Sequence, residues 1–394
     1  MIAVWEQYNA GQGITNIKSA RYTVTTGWSA PELIETNDTG TAQFPQVAIN
    51  ASGNAIAVWQ QSDGVYFHIW ASLYSPGSGW STPERIESYN ESHGKNPQIA
   101  MNDSGFAVAV WEQHDGSLDS IAANIYAPGS GWGTAALIDG DNSNAAWDPD
   151  VAVDPDNNAL VVWRHNNNTA PTTMTDIRAA RYTSLGWSTP ELIETEDLGA
   201  AEKPHVALDD NGNGFAVWQQ DDSSAINIMA NRFTKAGGWN PTAFTLESSD
   251  QDAASPQIAM SGEGNAYVVW SQSNGSTTNI YANIYVSGIG WGSATPVQTN
   301  STASGALPQV AVSGSGHAYA VWQQNDAPFT NSDIWSNRYV PGSGWETAEK
   351  LDVEDAGPAE NPQISADGSG NAVAIWQQFN GSSTYIWTDR RITP

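Results

Sequence analysis

The chain alternates short apolar runs with clusters of Gly, Asn, Asp and Ser, and it does so on a fixed beat. One phrase keeps returning. "NAIAVWQQ" at 54–61 reappears as "FAVAVWEQ", "NALVVWRH", "GFAVWQQ", "NAYVVWSQ", "HAYAVWQQ" and "NAVAIWQQ", after an opening "IAVWEQ". Its tryptophans are Trp5, Trp59, Trp111, Trp163, Trp218, Trp270, Trp322 and Trp376, separated by 54, 52, 52, 55, 52, 52 and 54 residues. A second series always follows glycine: Trp28, Trp80, Trp132, Trp187, Trp239, Trp291 and Trp345. The two series hold 15 of the 19 tryptophans, so most Trp here belongs to architecture rather than to ligand chemistry. A period near fifty residues is the mark of a repeat fold.

Each period carries four strand signals. "PQVAI" at 45–49 alternates apolar with small or polar residues, and "NASGN" after it offers positive-φ positions for a tight hairpin. "AIAVWQQ" is a short apolar run bounded by turns, as a strand covered on both faces requires. Ile-x-Ala/Ser-x-x-Tyr, as in "NIYANIY" at 279–285, is the third strand, and "GWSTPELIE" at 186–194 the fourth, its proline placing it at an edge. No 3.6-residue period is sustained anywhere. Four antiparallel strands per repeat predict an all-β protein, a β-propeller of four-stranded blades filling residues 1–394 as one domain.

The wording Pro-Gln-Val/Ile-Ala, then Asp or Asn, a Gly-Asn turn and a second apolar strand resembles NHL-type and related bacterial propeller repeats over the whole chain. The resemblance implies that the "PQVAI" strand is innermost and the Gly-Trp strand outermost. It implies no activity, because propellers host lectins, lyases, glycosidases and scaffolds alike. The inner and outer strands each occur seven times, the second and third eight times. That count favours eight blades in a sequence truncated at its N-terminal side. Seven blades with a spare hairpin, able to pair with another copy along an open edge, is the alternative.

Charge narrows the partners. With 42 Asp+Glu against 14 Lys+Arg the net charge is −28, which disfavours nucleic acid and anionic membrane surfaces. There is no cysteine, hence no disulfide framework or thiolate metal site. No apolar run reaches the ~18 residues of a membrane span. No basic-then-apolar leader opens the chain, so an export signal for the expected extracellular or cell-surface location would lie outside this sequence.

Strand alternation sorts the connections onto two ends. Inner-to-second and third-to-outer turns are short and alike, so that end reads as structural. Second-to-third and outer-to-inner loops vary and are rich in Asp, Asn, Gln, Ser and Thr, which suit sugar hydroxyls or hard cations. Residues that break the repeat are the candidates. His68, His93, His114, His165 and His205 fall at the variable end, and Arg164-His165 stands where other repeats have Gln-Gln, Glu-Gln or Ser-Gln. A His/Arg/Tyr set is the chemistry for β-elimination on a uronic-acid polymer. Arg21, Arg181, Arg232, Arg338 and Arg390 instead recur at one third-strand position, as packing or salt-bridge residues would. In "DGDNSNAAWDPD", Asp139, Asp141 and Asp150 stand at positions 1, 3 and 12 of an EF-hand-like spacing, but without its Gly or flanking helices. No cofactor is expected, although the acidity leaves room for calcium.

One third-strand slot holds Trp70, Tyr281, Trp335 and Trp387 in some repeats and Lys18, Ala122, Arg178 and Met229 in the others. Such tolerance reads as partial exposure, and exposed rings stack on sugar faces. The rival reading is that these rings cover gaps between blades. The sequence thus predicts a non-enzymatic propeller binding a glycan or other extracellular polymer through Trp70, Tyr281, Trp335, Trp387, His114, Arg164 and His165. A polysaccharide-processing enzyme and a structural interaction module are the alternatives.

Overall fold

The computed structural model describes residues 1–36, 40–89, 91–114, 116–140, 143–167, 174–195, 199–325, 331–352 and 357–391. Every helix or strand among them is a β-strand, and the strands form eight small antiparallel sheets, one per repeat. The fold is an eight-bladed β-propeller. In chain order the blades span residues 2–33, 42–85, 94–137, 146–192, 201–245, 253–296, 305–350 and 359–391. Two compact units divide them: Met1–Leu192 holds blades 1 to 4, and Ile193–Pro394 holds blades 5 to 8.

Blade 2 shows the common plan. Its inner, second and third strands, Ala42–Ile49, Ala55–Ser62 and Phe67–Ser75, follow as hairpins. The outer strand is not continuous as the sequence pattern suggests. It comes as two pieces, Gly79–Trp80 and Glu84–Arg85, both paired with the third strand. A third-strand side chain takes the carbonyl at which the outer strand breaks away. Ser72 Oγ donates to the Ser81 carbonyl at 2.9 Å, and the Nδ2 of Asn124 and Asn337 donate to those of Gly133 and Glu346 at 3.1 and 2.8 Å. Blade 1 begins with the second strand Ile2–Asn9, and blade 8 comprises the inner, second and third strands only.

The recurring Val-Trp phrase is the packed heart of each blade. Trp59, Trp111, Trp163, Trp218, Trp270 and Trp322 have no exposed surface. Within the first unit, Trp59 of blade 2 packs on Ile17 and Ile34 of blade 1. A buried indole N–H needs an acceptor, and the phrase supplies it two residues on. The Nε1 of Trp59, Trp111, Trp218, Trp270, Trp322 and Trp376 donate to the Oε1 of Gln61, Gln113, Gln220, Gln272, Gln324 and Gln378 at 2.9–3.1 Å. The second Gln of "VWQQ" is therefore a cap for the tryptophan beside it.

The inner strands share a kink. Phe44, Asn96, Asp148, Lys203, Ser255, Leu307 and Asn361 each precede a proline and have φ between 50° and 56°. The pairing register slips at each, as at a β-bulge. The freed N–H is caught from the blade before: Glu6 accepts from Phe44 at 2.7 Å, Gln60 from Asn96 at 3.0 Å, Glu112 from Asp148 at 3.0 Å and Gln219 from Ser255 at 3.1 Å.

Candidate functional site

Positions that repeat are structural, and they absorb several of the sequence-predicted site residues. After each outer piece an apolar residue is followed by a buried polar one: Glu35, Glu87, Asp139, Glu194, Glu247, Gln298 and Asp352, all at most 8% exposed. Asp139 is the blade 3 member of that series, 1% exposed, rather than the start of an open cation loop. Asp150 lies in the inner strand Ala146–Val153, opposite Val162. Asp141 lies outside the described residues. Among the described residues no group of three His, Asp or Glu side chains is arranged to hold a metal ion.

Trp70, Tyr281, Trp335 and Trp387 are half-buried and lie opposite Trp59, Trp270, Trp322 and Trp376. Each packs against the apolar cluster that its blade shares with the preceding one. Tyr281 stacks on Trp270 with ring centroids 6.4 Å apart. The rings fill the seams between blades within their units. The arginine series does comparable work: Arg21 bonds the Tyr74 hydroxyl, Arg232 lies over the Tyr285 ring, and Arg338 grips Glu346 at 2.8 and 3.1 Å.

The histidines separate. His165 is wholly buried, at 0% exposure, so no ligand on the surface reaches it. It stands where other blades have the tryptophan-capping Gln, and Trp163 Nε1 has no acceptor. His68 is buried between Glu87 Oε1 at 2.8 Å and Asp63 Oδ2 at 3.0 Å, and Arg85 holds the same Glu87 at 2.7 Å. These partners occupy both ring nitrogens of His68. His93 accepts from the Phe67 N–H at 3.1 Å, and burial, with Lys95 and His114 near it, lowers its pKa.

Arg164 packs at the loop-rich end of blade 4 on a residue the sequence reading passed over, and His114 stands opposite one of that residue's hydrogen-bond partners. Trp147 is the one tryptophan outside both repeating series and outside the third-strand slot. It is half-buried, second in the inner strand of blade 4 and paired with Arg164. The Arg164 guanidinium sits 5.1 Å from its ring centroid, a cation–π contact. Trp147 Nε1 donates to Asp119 Oδ2 at 3.1 Å, and Asp119 lies opposite His114 across the blade 3 hairpin. Arg164 Nε also forms an ion pair with Asp148 Oδ2 at 3.1 Å. Other blades place Gln43, Lys95, Glu202, Ala254, Ala306 and Glu360 at the Trp147 position, so folding does not demand an aromatic there. The signal was available: aligning the repeats shows Trp147 as a departure, but its phrase reads as loop.

Glu112 borders this site. Burial raises its pKa, the charges of Asp148 and Asp119 add to that, and hydrogen bonds from the Asp148 N–H and Asn96 oppose it. Both its oxygens are occupied, by Asp148 N and by Asn96 Nδ2, each at 3.0 Å. Glu6, Gln60 and Gln219 do the same task in other blades, so Glu112 is bulge support rather than a free acid.

No protein-family profile and no curated protein matches the sequence. Solved structures match the fold. A Dyadobacter fermentans protein of unknown function is 12% identical with a TM-score of 0.51, covering 91% of this chain and 96% of its own. An ulvan lyase, from a new family of polysaccharide lyases, is 12% identical with a TM-score of 0.55, covering 90% and 92%. A puromycin hydrolase is 17% identical with a TM-score of 0.54, covering 95% of this chain and 57% of that one. At these identities the likeness is one of fold. No helix among the described residues is long and apolar enough to cross a membrane.

Proposed function

We propose that this propeller is an extracellular carbohydrate-binding protein whose ligand end is formed by blades 3 and 4. The observation that carries the reading is Trp147: an aromatic plane kept where the fold does not need it, flanked by Arg164, Asp119 and Asp148. A sugar ring presents an apolar face and a rim of hydroxyls, and an aromatic ring set among fixed donors and acceptors matches both. That the ulvan lyase of similar fold acts on a polysaccharide agrees with this reading. Binding is favoured over catalysis because the carboxylate bordering this site whose pKa burial raises, Glu112, is engaged on both oxygens.

A glycan array, followed by titration of the best ligand, tests it. Trp147→Ala should lower affinity by about 1–3 kcal/mol, the range for stacking on an aromatic side chain, with melting unchanged. Equal binding by Trp147→Ala, or an array with no ligand, overturns the reading. Release of new reducing or unsaturated ends from the bound polysaccharide would favour an enzyme instead.

A further inference from the structure

We infer that the inner strands of blades 5 and 6 carry a second binding position, for the carboxylate of an acidic sugar. The inner strand offers two side chains per blade near the loop-rich end, one at the bulge and one two residues later. The later position is Gln46, Gln98, Gln257, Gln309 and Gln363 in five blades and Asp150 in blade 4. The bulge position is Phe44, Asn96, Asp148, Ser255, Leu307 and Asn361 in six. Blade 5 departs at both at once, with Lys203 and His205, and it is the one blade to place a basic residue at either. Neither is required by the backbone, since the other blades build the same bulge without them.

The pair is positioned rather than loose. Lys203 is exposed, and its Nζ reaches Ser255 Oγ at 3.3 Å, the bulge residue of blade 6. Gln257 Nε2, on the later residue of blade 6, donates to His205 Nε2 at 2.9 Å. Two nitrogen-bearing side chains thus stand in line, each backed by a polar group of the next blade. Glu202, the acid adjacent in sequence, accepts a hydrogen bond from Gln219 Nε2 at 3.2 Å. In a chain of net charge −28, a local ammonium–imidazole–hydroxyl–amide set selects an anion where the molecule at large repels one. A planar carboxylate can take the ammonium on one oxygen and, on the other, the second hydrogen of the Gln257 amide or the Nδ1–H of His205. The choice of a polysaccharide as its carrier rests on the carbohydrate-binding reading above.

The test is titration of the full chain with polygalacturonate at low salt, beside a neutral glucan and dextran sulfate. The variant Lys203→Asn/His205→Gln carries residues that other blades already use at both positions, so it keeps the fold. It should bind polygalacturonate about tenfold or more weaker, the worth of a charged hydrogen bond, with neutral-glucan binding and melting unaltered. The parent's polygalacturonate binding should weaken with added salt. The inference falls if the parent ignores polygalacturonate, if the double variant binds it as tightly, or if the variant loses dextran sulfate alone. Loss of polygalacturonate in Trp147→Ala but not in the double variant would sink this site and keep the first. The reverse result would keep this site and sink the first.

Discussion

At the residue scale, the Val-Trp phrase works because its polar half completes its apolar half. Gln113 accepts from Trp111 Nε1 at 2.9 Å and donates to Ser92 Oγ at 3.0 Å and the His93 carbonyl at 3.1 Å. Gln113→Leu would leave the indole N–H and those acceptors buried without partners, a loss of about 1–3 kcal/mol, readable as a lower denaturation midpoint. Trp335→Ala removes a half-buried seam ring and should cost about 2–3 kcal/mol, below the full-burial range. A cost near zero would mean the ring is free for ligands. Asp352 makes a third prediction. Burial raises its pKa to about 6, against the Ile334 N–H that bonds it at 2.7 Å. The folded state therefore holds a proton that the unfolded state has released between the ordinary value near 3.8 and about 6. Stability contributed here is present below that window and lost as pH rises through it, by on the order of 2–3 kcal/mol. Asp352→Asn should flatten the pH dependence of melting across the window. The same buried series explains why Asp139 misled. Spacing made it look like a cation ligand, and burial, which a Gly/Asn-rich string conceals, made it structural.

At the element scale, the period, the strand order and the two tryptophan series were all legible, because each rests on local pattern. The split outer strand and the inner-strand bulge were not. Both depend on a side chain of one strand bonding the backbone of another, and no spacing within one strand encodes that. The glycine before each outer Trp was legible for a physical reason: φ runs from 71° to 120° at Gly27, Gly79, Gly131, Gly186, Gly238, Gly290 and Gly344. No atom crowds the missing Cβ at these positions. Gly131→Ala should therefore cost only the left-handed backbone penalty, about 1–2 kcal/mol, measurable by thermal melting. The turn also sets the contact of each outer Trp with the aromatic next to the end of the third strand, edge-on in Tyr126–Trp132 at 5.6 Å and tilted in Tyr182–Trp187 at 5.3 Å. Site geometry was half legible. His114 and Arg164 stood out as departures, whereas Trp147 was hidden among residues that read as a loop.

At the scale of the whole molecule, 42 acidic against 14 basic residues make self-repulsion a standing cost of the folded state. Raising sodium chloride from about 10 mM to about 150 mM, which shortens the screening length from roughly 30 to 8 Å, should raise the melting temperature. A fall would mean that attractive pairs such as Lys350–Asp333, 2.9 Å apart, dominate instead. The pre-proline bulge has a consequence for how such a protein changes over time. Seven copies of one left-handed kink accept Phe, Asn, Asp, Lys, Ser, Leu and Asn. Strain there is already met by the backbone and its borrowed acceptors, so mutation at these seven places alters what the protein meets before it alters whether the protein folds. Gene duplication within such a chain multiplies positions open to selection for a new ligand while the scaffold stays under its own separate constraint.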